Sequence, residues 1–275
     1  MDFQNRHVLI TGASGGIGTA LALALAQEGA NLLLHGRSET RLPDLAARCL
    51  QNGASSVKTC SADLSEQGDR MKLVNFIHRE FSEFDTLINN AGISRFELFE
   101  QQSAEMIEQL ITTNITAPIL LTRALMPLLM ENRERAPRIL NIGSAFGAIG
   151  FPGYTTYCAS KGALRLFSEA LARELSDTPL KVQYLAPRAT RTSINSTRAQ
   201  AMLEATGSQS DTPERVAQAA LAQLRSGKSQ SAIGWPERLL VRLNGLRPEL
   251  ISAVLRKQLS KIKPLANTAN TGVES

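Results

Sequence analysis

The sequence predicts an α/β fold: a single doubly wound, mostly parallel sheet with helices on both faces and a helical extension at the C-terminus. Two observations predict it. Short, uniformly apolar runs alternate with helical patterns from the first residues onward, as expected when helices cover both faces of a parallel sheet. A glycine-rich turn, Thr11 to Gly18, joins the first apolar run to the first helical pattern.

His7–Ile10 reads as the first strand, Gly16–Glu28 as the first helix and Asn31–Leu34 as the second strand. Helices at Glu39–Gln51 and Glu66–Phe81 then alternate with strands at Ser56–Cys60 and Thr86–Ile88. A long helical stretch runs from Ala104 to Asn132. Pro118 and Pro127 should bend or split it, because proline lacks an N–H and clashes with the preceding turn. Arg138–Ile142 and Val182–Leu185 complete the strands, with Tyr154–Leu175 the helix between them. Beyond Pro187 the pattern loosens. Arg188–Ser210, rich in Ser, Thr, Ala and Gly, reads as a mobile segment with short helical pieces. Pro213–Arg225 is a further helix, with Asp211 and Thr212 as cap candidates.

The end of the chain differs in character. Leu239, Leu240, Leu243 and Leu246, then Leu250, Ile251, Val254, Leu255, Leu259 and Ile262, recur at helical spacing. Gly245 and Pro248 divide them into two helices. The organisation expected is a sheet domain over 1–234, a basic amphipathic extension over 235–263 and a disordered tail over 264–275.

Composition narrows the function classes. With 43% hydrophobic residues and 5% aromatics the chain is an ordinary globular protein. Cys49, Cys60 and Cys158 are too few and scattered for a disulfide framework, so a reducing cytoplasm is expected. None has zinc-ligand spacing with a histidine, and no metal is expected. The N-terminus lacks a basic start followed by a long apolar stretch, so no signal peptide is read. No uncharged apolar run reaches the length of a bilayer span. Of the net charge of +5, most lies late: residues 235–275 carry seven Lys/Arg against three Asp/Glu. The nearly neutral body, without aromatic–basic interleaving, argues against a nucleic-acid surface.

Thr11 to Gly18 follows a strand and opens a helix, the setting in which a glycine loop holds a dinucleotide diphosphate. Gly12 permits the tight turn, Gly16 lets backbone approach the diphosphate and Gly18 lets the helix pack on the sheet. The free N–H groups and dipole of that helix face the anion. At the end of the second strand stands His35-Gly36-Arg37-Ser38. An acidic residue there would bind the ribose hydroxyls and repel a 2′-phosphate. Instead Arg37 offers a cationic fork. NADP(H) is therefore expected over NAD(H), with Ser14 and Arg37 at the 2′-phosphate.

Further on, Tyr157 and Lys161 stand one helical turn apart, thirteen residues after Ser144. A free tyrosine titrates near pH 10, too high for ready proton exchange at neutrality. A neighbouring ammonium favours phenolate, making Tyr157 a plausible acid for ketone reduction and base for alcohol oxidation. Ser144, at a strand end, can hydrogen-bond the substrate oxygen.

Thr11–Gly18, Asn89-Asn90-Ala91-Gly92, Asn114, Ser144 and Tyr157-Cys158-Ala159-Ser160-Lys161 together resemble the short-chain dehydrogenase/reductase family, over about residues 5–235. The resemblance implies a Rossmann-like fold and hydride exchange between NADP(H) and a carbonyl or alcohol. It implies that Lys161 also holds the nicotinamide ribose and that Asn114 anchors a proton-relaying water. Asp63, followed by Leu64, would meet the adenine amine, and Asn90, Ala91 and Gly92 would line the adenosine side. Thr11 and Ile17 belong to the same cofactor loop. Past Pro187, Thr192 resembles the threonine that binds the carboxamide. One departure stands out: family members usually have glycine after that proline, and here it is Arg188, which limits positive φ.

The substrate pocket is expected from Ser94–Phe96, Ala145–Tyr154 and the stretch after Pro187. Its apolar side chains suit a lipophilic ketone, aldehyde or 3-oxoacyl group, and Arg95, Arg188 and Arg191 are candidates for an acidic handle. The C-terminal leucines either close the core or an oligomer contact, or lie with their cations on an anionic membrane surface. The resemblance implies a homo-dimer or homo-tetramer built through helices around 104–132 and 154–175. The rival class is a non-catalytic NADP(H)-binding regulator on the same fold.

Overall fold

A computed structural model of the chain describes residues 2–81, 84–132, 135–192, 194–235 and 237–267. In chain order its elements are β1 His7–Ile10, α1 Gly16–Ala26, β2 Asn31–Gly36, α2 Arg41–Gln51, β3 Ser56–Ser61, α3 Gln67–Glu80 and β4 Thr86–Asn89. Then follow α4 Ala104–Ile111, α5 Ala117–Glu131, β5 Arg138–Ile142, α6 Thr155–Glu174, β6 Lys181–Ala186 and α7 Thr197–Thr206. The chain ends with α8 Pro213–Ser226, β7 Gln230–Ala232, α9 Glu237–Leu246 and α10 Pro248–Ala266.

Seven strands form one parallel sheet in the order β3-β2-β1-β4-β5-β6-β7. The order reverses between β1 and β4, and ligands of such sheets bind beyond the strand carboxyl ends at that switch. Strand alternation feeds both faces. Val8, Ile10, Leu32 and Leu34 enter the core beneath α1 and α8, while Leu9 and Leu33 enter the core beneath α3 and α5. This is why the central strands β1 and β2 read as nearly continuous apolar runs. The strand β7 was not foreseen. Its Gln-Ser-Ala is polar and only three residues long, and it forms because Ala186 and its neighbours offer an edge to pair with.

The long helical stretch divides at a π-turn over Thr112–Thr116. Pro118 supplies the cause: without an N–H it cannot donate to the carbonyl of Asn114 in α register. Pro127 is accommodated within α5. Although 104–131 is long and apolar enough for a bilayer span by composition, Leu121, Leu125 and Leu129 are buried in the core.

Two corrections concern the region after Pro187. The segment read as mobile contains the ten-residue α7, capped by Ser196, whose hydroxyl accepts from the Ala199 N–H at 3.2 Å, and ended by Gly207 at φ +67°. The stretch from Pro264 to Ala266, read as disordered, continues α10. Ile262 and Ala266 are buried against Ala199 and Met202 of α7, and the Ala266 carbonyl accepts from the Leu98 N–H at 3.2 Å. Residues 268–275 lie outside the described residues. Thr212 caps α8 by accepting from the Arg215 N–H, whereas Asp211 turns to other partners.

Candidate active site

The glycine loop is a cradle made by close backbone approach. A Cβ on Gly12, whose φ is +64°, would stand 2.8 Å from Ala91 Cα, and one on Gly18 would stand 2.2 Å from the Gly12 carbonyl oxygen. Thr11 locks the cradle to β4: its hydroxyl accepts from the N–H groups of Asn90 and Ala91, both at 3.0 Å. The Asn90 amide donates to the carbonyls of Thr11 and Gly12. Beneath the loop lies His35, a residue the motif reading passed over. Its Nδ1 accepts from the Gly12 N–H at 3.4 Å and its Nε2 faces the Ala62 carbonyl at 3.1 Å. That pattern requires the neutral ring protonated on Nε2, and burial pushes the His35 pKa down to about 4.

A cavity of about 440 Å³ opens above the cradle. Gly12, Ser14, Gly16, Ile17, Gly18, Arg37, Asp63, Leu64, Asn90, Ala91, Gly92 and Thr192 all line it, so the expected cofactor residues share one wall system. A Cβ on Gly36 would stand 2.9 Å from Ser14 Oγ, which brings the tip of the loop beside Arg37. Arg37 Nη1 lies 4.0 Å from Asp63 Oδ2. Burial alone would raise the Asp63 pKa, but hydrogen bonds from Ser65 and the charge of Arg37 outweigh it and hold the carboxyl below its usual range. Arg41, from the first turn of α2, lines the same cavity as a second cation. The first turn of α1 carries no side-chain cap, which leaves its N–H groups toward this space. These residues fit a nicotinamide dinucleotide.

A second cavity of about 440 Å³ adjoins the first through Ile17, Asn90, Gly92 and Thr192. Ser144, Tyr157 and Lys161 stand together on its wall. Lys161 is buried, and its Nζ donates to the Ile142 carbonyl at 3.2 Å and lies 5.8 Å from the Tyr157 ring centroid. Burial pushes the Lys161 pKa down to about 8. It also raises the Tyr157 phenol well above its ordinary value, with a hydrogen bond donated by the Ser144 hydroxyl opposing the rise. Burial thus works against the acidified phenol expected from the Tyr–Lys spacing. Asn114 is buried in the π-turn, where its amide donates to the Ile93 carbonyl and to Ser160 Oγ, and its Oδ1 accepts from the Ile93 N–H. Pro187 closes the floor, its carbonyl accepting from the Ala145 N–H.

Besides His35, two groups were missed by sequence reasoning. Tyr184 of β6 sends its hydroxyl under Ser144, accepting from the Ser144 N–H at 3.2 Å and lying 3.2 Å from the Ser144 carbonyl and 3.4 Å from that of Lys161. No spacing rule marks it, because a tyrosine in a buried strand reads as ordinary core. The second group is the C-terminal pair of helices: Leu240, Ile251, Val254 and Leu255 form part of the substrate cavity wall. Opposite them stand Phe146, Ile149, Phe151 and Tyr154, with Phe146 and Phe151 stacked at 4.9 Å. Of the expected wall residues, Ser94 lines the cavity, whereas Phe96 is buried behind Tyr154 at a ring distance of 5.0 Å.

Arg188 is neither strained nor an exposed handle. The described non-glycine residues with positive φ are Asn5 and Ala136. The Arg188 guanidinium is buried against Asp211 Oδ1 at 2.9 Å and Glu237 Oε2 at 3.3 Å. It also donates to Gln209 Oε1 at 3.1 Å and to the Trp235 carbonyl at 3.4 Å. The residue that departs from the family pattern thus ties the Pro187–Thr192 loop to the first turn of α9. Arg95 pairs instead with Glu97 at 3.3 Å.

A Rossmann-type parallel sheet, a glycine cradle at its switch point and a Ser–Tyr–Lys wall beside it define a nicotinamide-dependent oxidoreductase architecture. A family model described as short chain dehydrogenase matches residues 6–203, and the chain belongs to that family. Nodulation protein G of Rhizobium sp. (strain N33) is 38% identical over 186 residues, 68% of this chain and 74% of that protein. The 3-oxoacyl-acyl-carrier-protein reductase FabG of Escherichia coli (strain K12) is 34% identical over 187 residues, with coverage of 68% and 74%. Among solved structures, a Sphingobium yanoikuyae short-chain dehydrogenase in complex with NADPH superposes with a TM-score of 0.77 at 34% identity, covering 90% of this chain and 95% of that one. The bulky-bulky ketone specific alcohol dehydrogenase of Comamonas testosteroni superposes with a TM-score of 0.74 at 30% identity, covering 90% and 94%.

Proposed function

We propose that the protein is an NADP(H)-dependent oxidoreductase that interconverts a lipophilic carbonyl compound and its alcohol. The observation that carries this is the continuity of two cavities, a glycine cradle with Arg37 at one end and an apolar chamber with Ser144, Tyr157 and Lys161 at the junction. When bound, the dinucleotide supplies or accepts the hydride. Ser144 holds the substrate oxygen by donating its hydroxyl hydrogen, while its Oγ accepts from the Phe146 N–H. Tyr157 gives its proton to that oxygen in reduction and takes it back in oxidation. Lys161 steadies the charge that develops on the phenol, and Asn114 holds the water through which its proton is replaced. Arg37, Ser14 and Arg41 favour the 2′-phosphate by charge and by the room left at Gly36. Solved structures of this fold are in complex with either dinucleotide, NADPH in one and NAD in another, so the preference rests on these side chains.

The apolar walls favour a ketone, aldehyde or 3-oxoacyl group with a bulky hydrocarbon part. Free thiols at Cys49, Cys60 and Cys158 suit a reducing cytoplasm. The exposed Leu120 of α5 and Leu166 of α6 suit the homo-oligomer implied by the family, and sedimentation measures it. The deciding experiment is NADPH oxidation against a panel of lipophilic ketones, acyl thioesters and polyols, for the native chain and Tyr157→Phe. Turnover of lipophilic ketones that falls by about 10²- to 10⁴-fold in the variant supports the reading. Tight NADPH binding without turnover on any substrate would make the chain a dinucleotide-binding regulator. Preference for polyols would overturn the apolar-chamber assignment.

A further inference from the structure

The hairpin of α9 and α10 has two apolar faces. Its inner face, with Leu240, Ile251 and Leu255, is a cavity wall. Its outer face carries Leu239, Leu246 and Leu250, exposed by 47%, 79% and 53%. Solvent-facing helix positions are ordinarily polar, and contiguous exposed apolar side chains mark a contact surface. Cations alternate with these leucines. Arg238, Arg242, Arg247, Arg256 and Lys257 are exposed and form no ion pair among the described residues. Against them stand two acids, Glu237, already engaged by Arg188, and Glu249.

We infer that this hairpin docks on an anionic lipid bilayer, with the leucines beneath the headgroups and the guanidinium groups at the phosphates. Spacing supports this occupant. Leu239, Arg242 and Leu246 fall on one outward stripe of α9, and Leu250, Val254 and Lys257 on one of α10, the mixture an interfacial helix presents. A second copy of the chain would bring the same cations against themselves, which is repulsive. An acidic protein would meet the cations but would leave Leu246, at the hairpin turn, without a function.

Position gives the docking a use. Ile194, Gln209 and Val254 line the substrate cavity and are also solvent-exposed, so they mark its mouth. Val254 belongs to the docking stripe. A bilayer against α10 therefore adjoins the mouth, and a hydrocarbon substrate dissolved in the membrane reaches Tyr157 with little passage through water. This last step rests on the lipophilic-substrate reading; the docking does not.

Trp235, two residues before α9, is the single tryptophan and is 69% exposed, so its emission reports on this region. The full chain is mixed with vesicles of phosphatidylcholine alone or with phosphatidylglycerol, and binding is read by flotation and by Trp235 emission. Expected are a blue shift and partition about tenfold or more stronger on the anionic vesicles, reversed by salt. Leu246→Glu with Leu250→Glu should abolish binding, and Arg242→Ser with Arg247→Ser should weaken it about 30-fold. Neither pair lines the cavity, so turnover of a small soluble ketone should stay unchanged. Absent or equal binding on the two vesicle types overturns the inference. So does a leucine variant that keeps vesicle binding but changes the sedimentation coefficient, because the face is then a contact between copies. Vesicle binding without turnover of lipophilic ketones leaves the docking intact and overturns the substrate reading instead.

Discussion

The glycine cradle and the C-terminal hairpin flank the same pair of cavities, yet they are built by opposite means. The cradle is backbone against backbone: Gly12 against Ala91, Gly18 against Gly12, and the Thr11 hydroxyl to the amides just past β4. Few side chains are compatible with such approaches, so its residue types and spacing are nearly dictated by the ligand. The hairpin is side chain against side chain, leucines closing a chamber and one buried arginine tying it down. Many leucine patterns would serve, so its sequence records a helix and not a purpose. Cofactor chemistry is therefore written in local spacing, whereas substrate choice is decided by tertiary packing.

The sharpest test of that division is Arg188, where the two regions are joined. Arg188→Ala removes one partner from a buried ion cluster, a change that ordinarily costs about 3–5 kcal/mol. The lower end is expected, because Arg215 remains 3.0 Å from Asp211. Urea unfolding should show this loss. Kinetics should show a raised KM for a long-chain ketone with kcat on a small ketone preserved. If kcat falls equally on both, the arginine serves the nicotinamide loop and the hairpin is incidental.

Much of the first region was legible. Eleven of the twelve elements through β6 begin within two residues of expectation because helix and strand periods are strong where both sheet faces are covered. The exceptions have local causes. A three-residue polar edge strand, β7, carries no period at all. The helix α7 lies in a Ser- and Thr-rich stretch whose signal is a cap at Ser196 and a glycine stop at Gly207, not an apolar stripe. At the site, the three residues singled out by spacing, Ser144, Tyr157 and Lys161, share one cavity wall, but spacing says nothing of their burial. Spacing reports that a charge is near; it does not report that Lys161 is buried. Tyr184 and Leu255 were invisible, since burial under Ser144 or over a chamber is a fact of the fold alone.

Arg37 tests whether the cofactor region discriminates by a side chain after all. Its guanidinium is exposed and faces Asp63 across the adenosine end of the cavity. Arg37→Glu should weaken NADPH binding by about 10- to 100-fold, the worth of a charge-assisted hydrogen bond, and leave NADH binding little changed. Isothermal titration measures both. An equal loss for the two dinucleotides would show that Arg37 shapes the cavity and does not read the phosphate.

The pH profile sharpens the account of the shared wall. With its pKa pushed down to about 8 from 10.5, Lys161 is charged below pH 8 and neutral above it in the unliganded protein. If the charge is needed, kcat/KM for reduction should be flat below pH 8 and then fall about tenfold per pH unit. Stability should move the other way. A folded state that releases this proton before the unfolded chain does gains stability as pH rises from 8 to 10.5. Activity and melting temperature with opposite slopes in that window would assign the titration to Lys161; parallel slopes would point to unfolding.

The smallest expected effect tests the hairpin as a wall of the chamber. Leu255 is half-buried and lines the substrate cavity from α10. Burying a whole leucine side chain is worth about 1.5–3 kcal/mol, and a substrate covering half of it gains about 1 kcal/mol by the same measure. Leu255→Ala should therefore raise KM about fivefold for a ketone long enough to reach α10. For a ketone that ends at Phe146, KM should not move, and Kd for NADPH should be unchanged with either. The gradient with chain length is the informative quantity, because a general loosening of the fold would raise KM for every substrate alike. If KM stays constant across the series, the hairpin does not touch bound substrate, and the mouth of the chamber must lie on the α7 side, near Leu203.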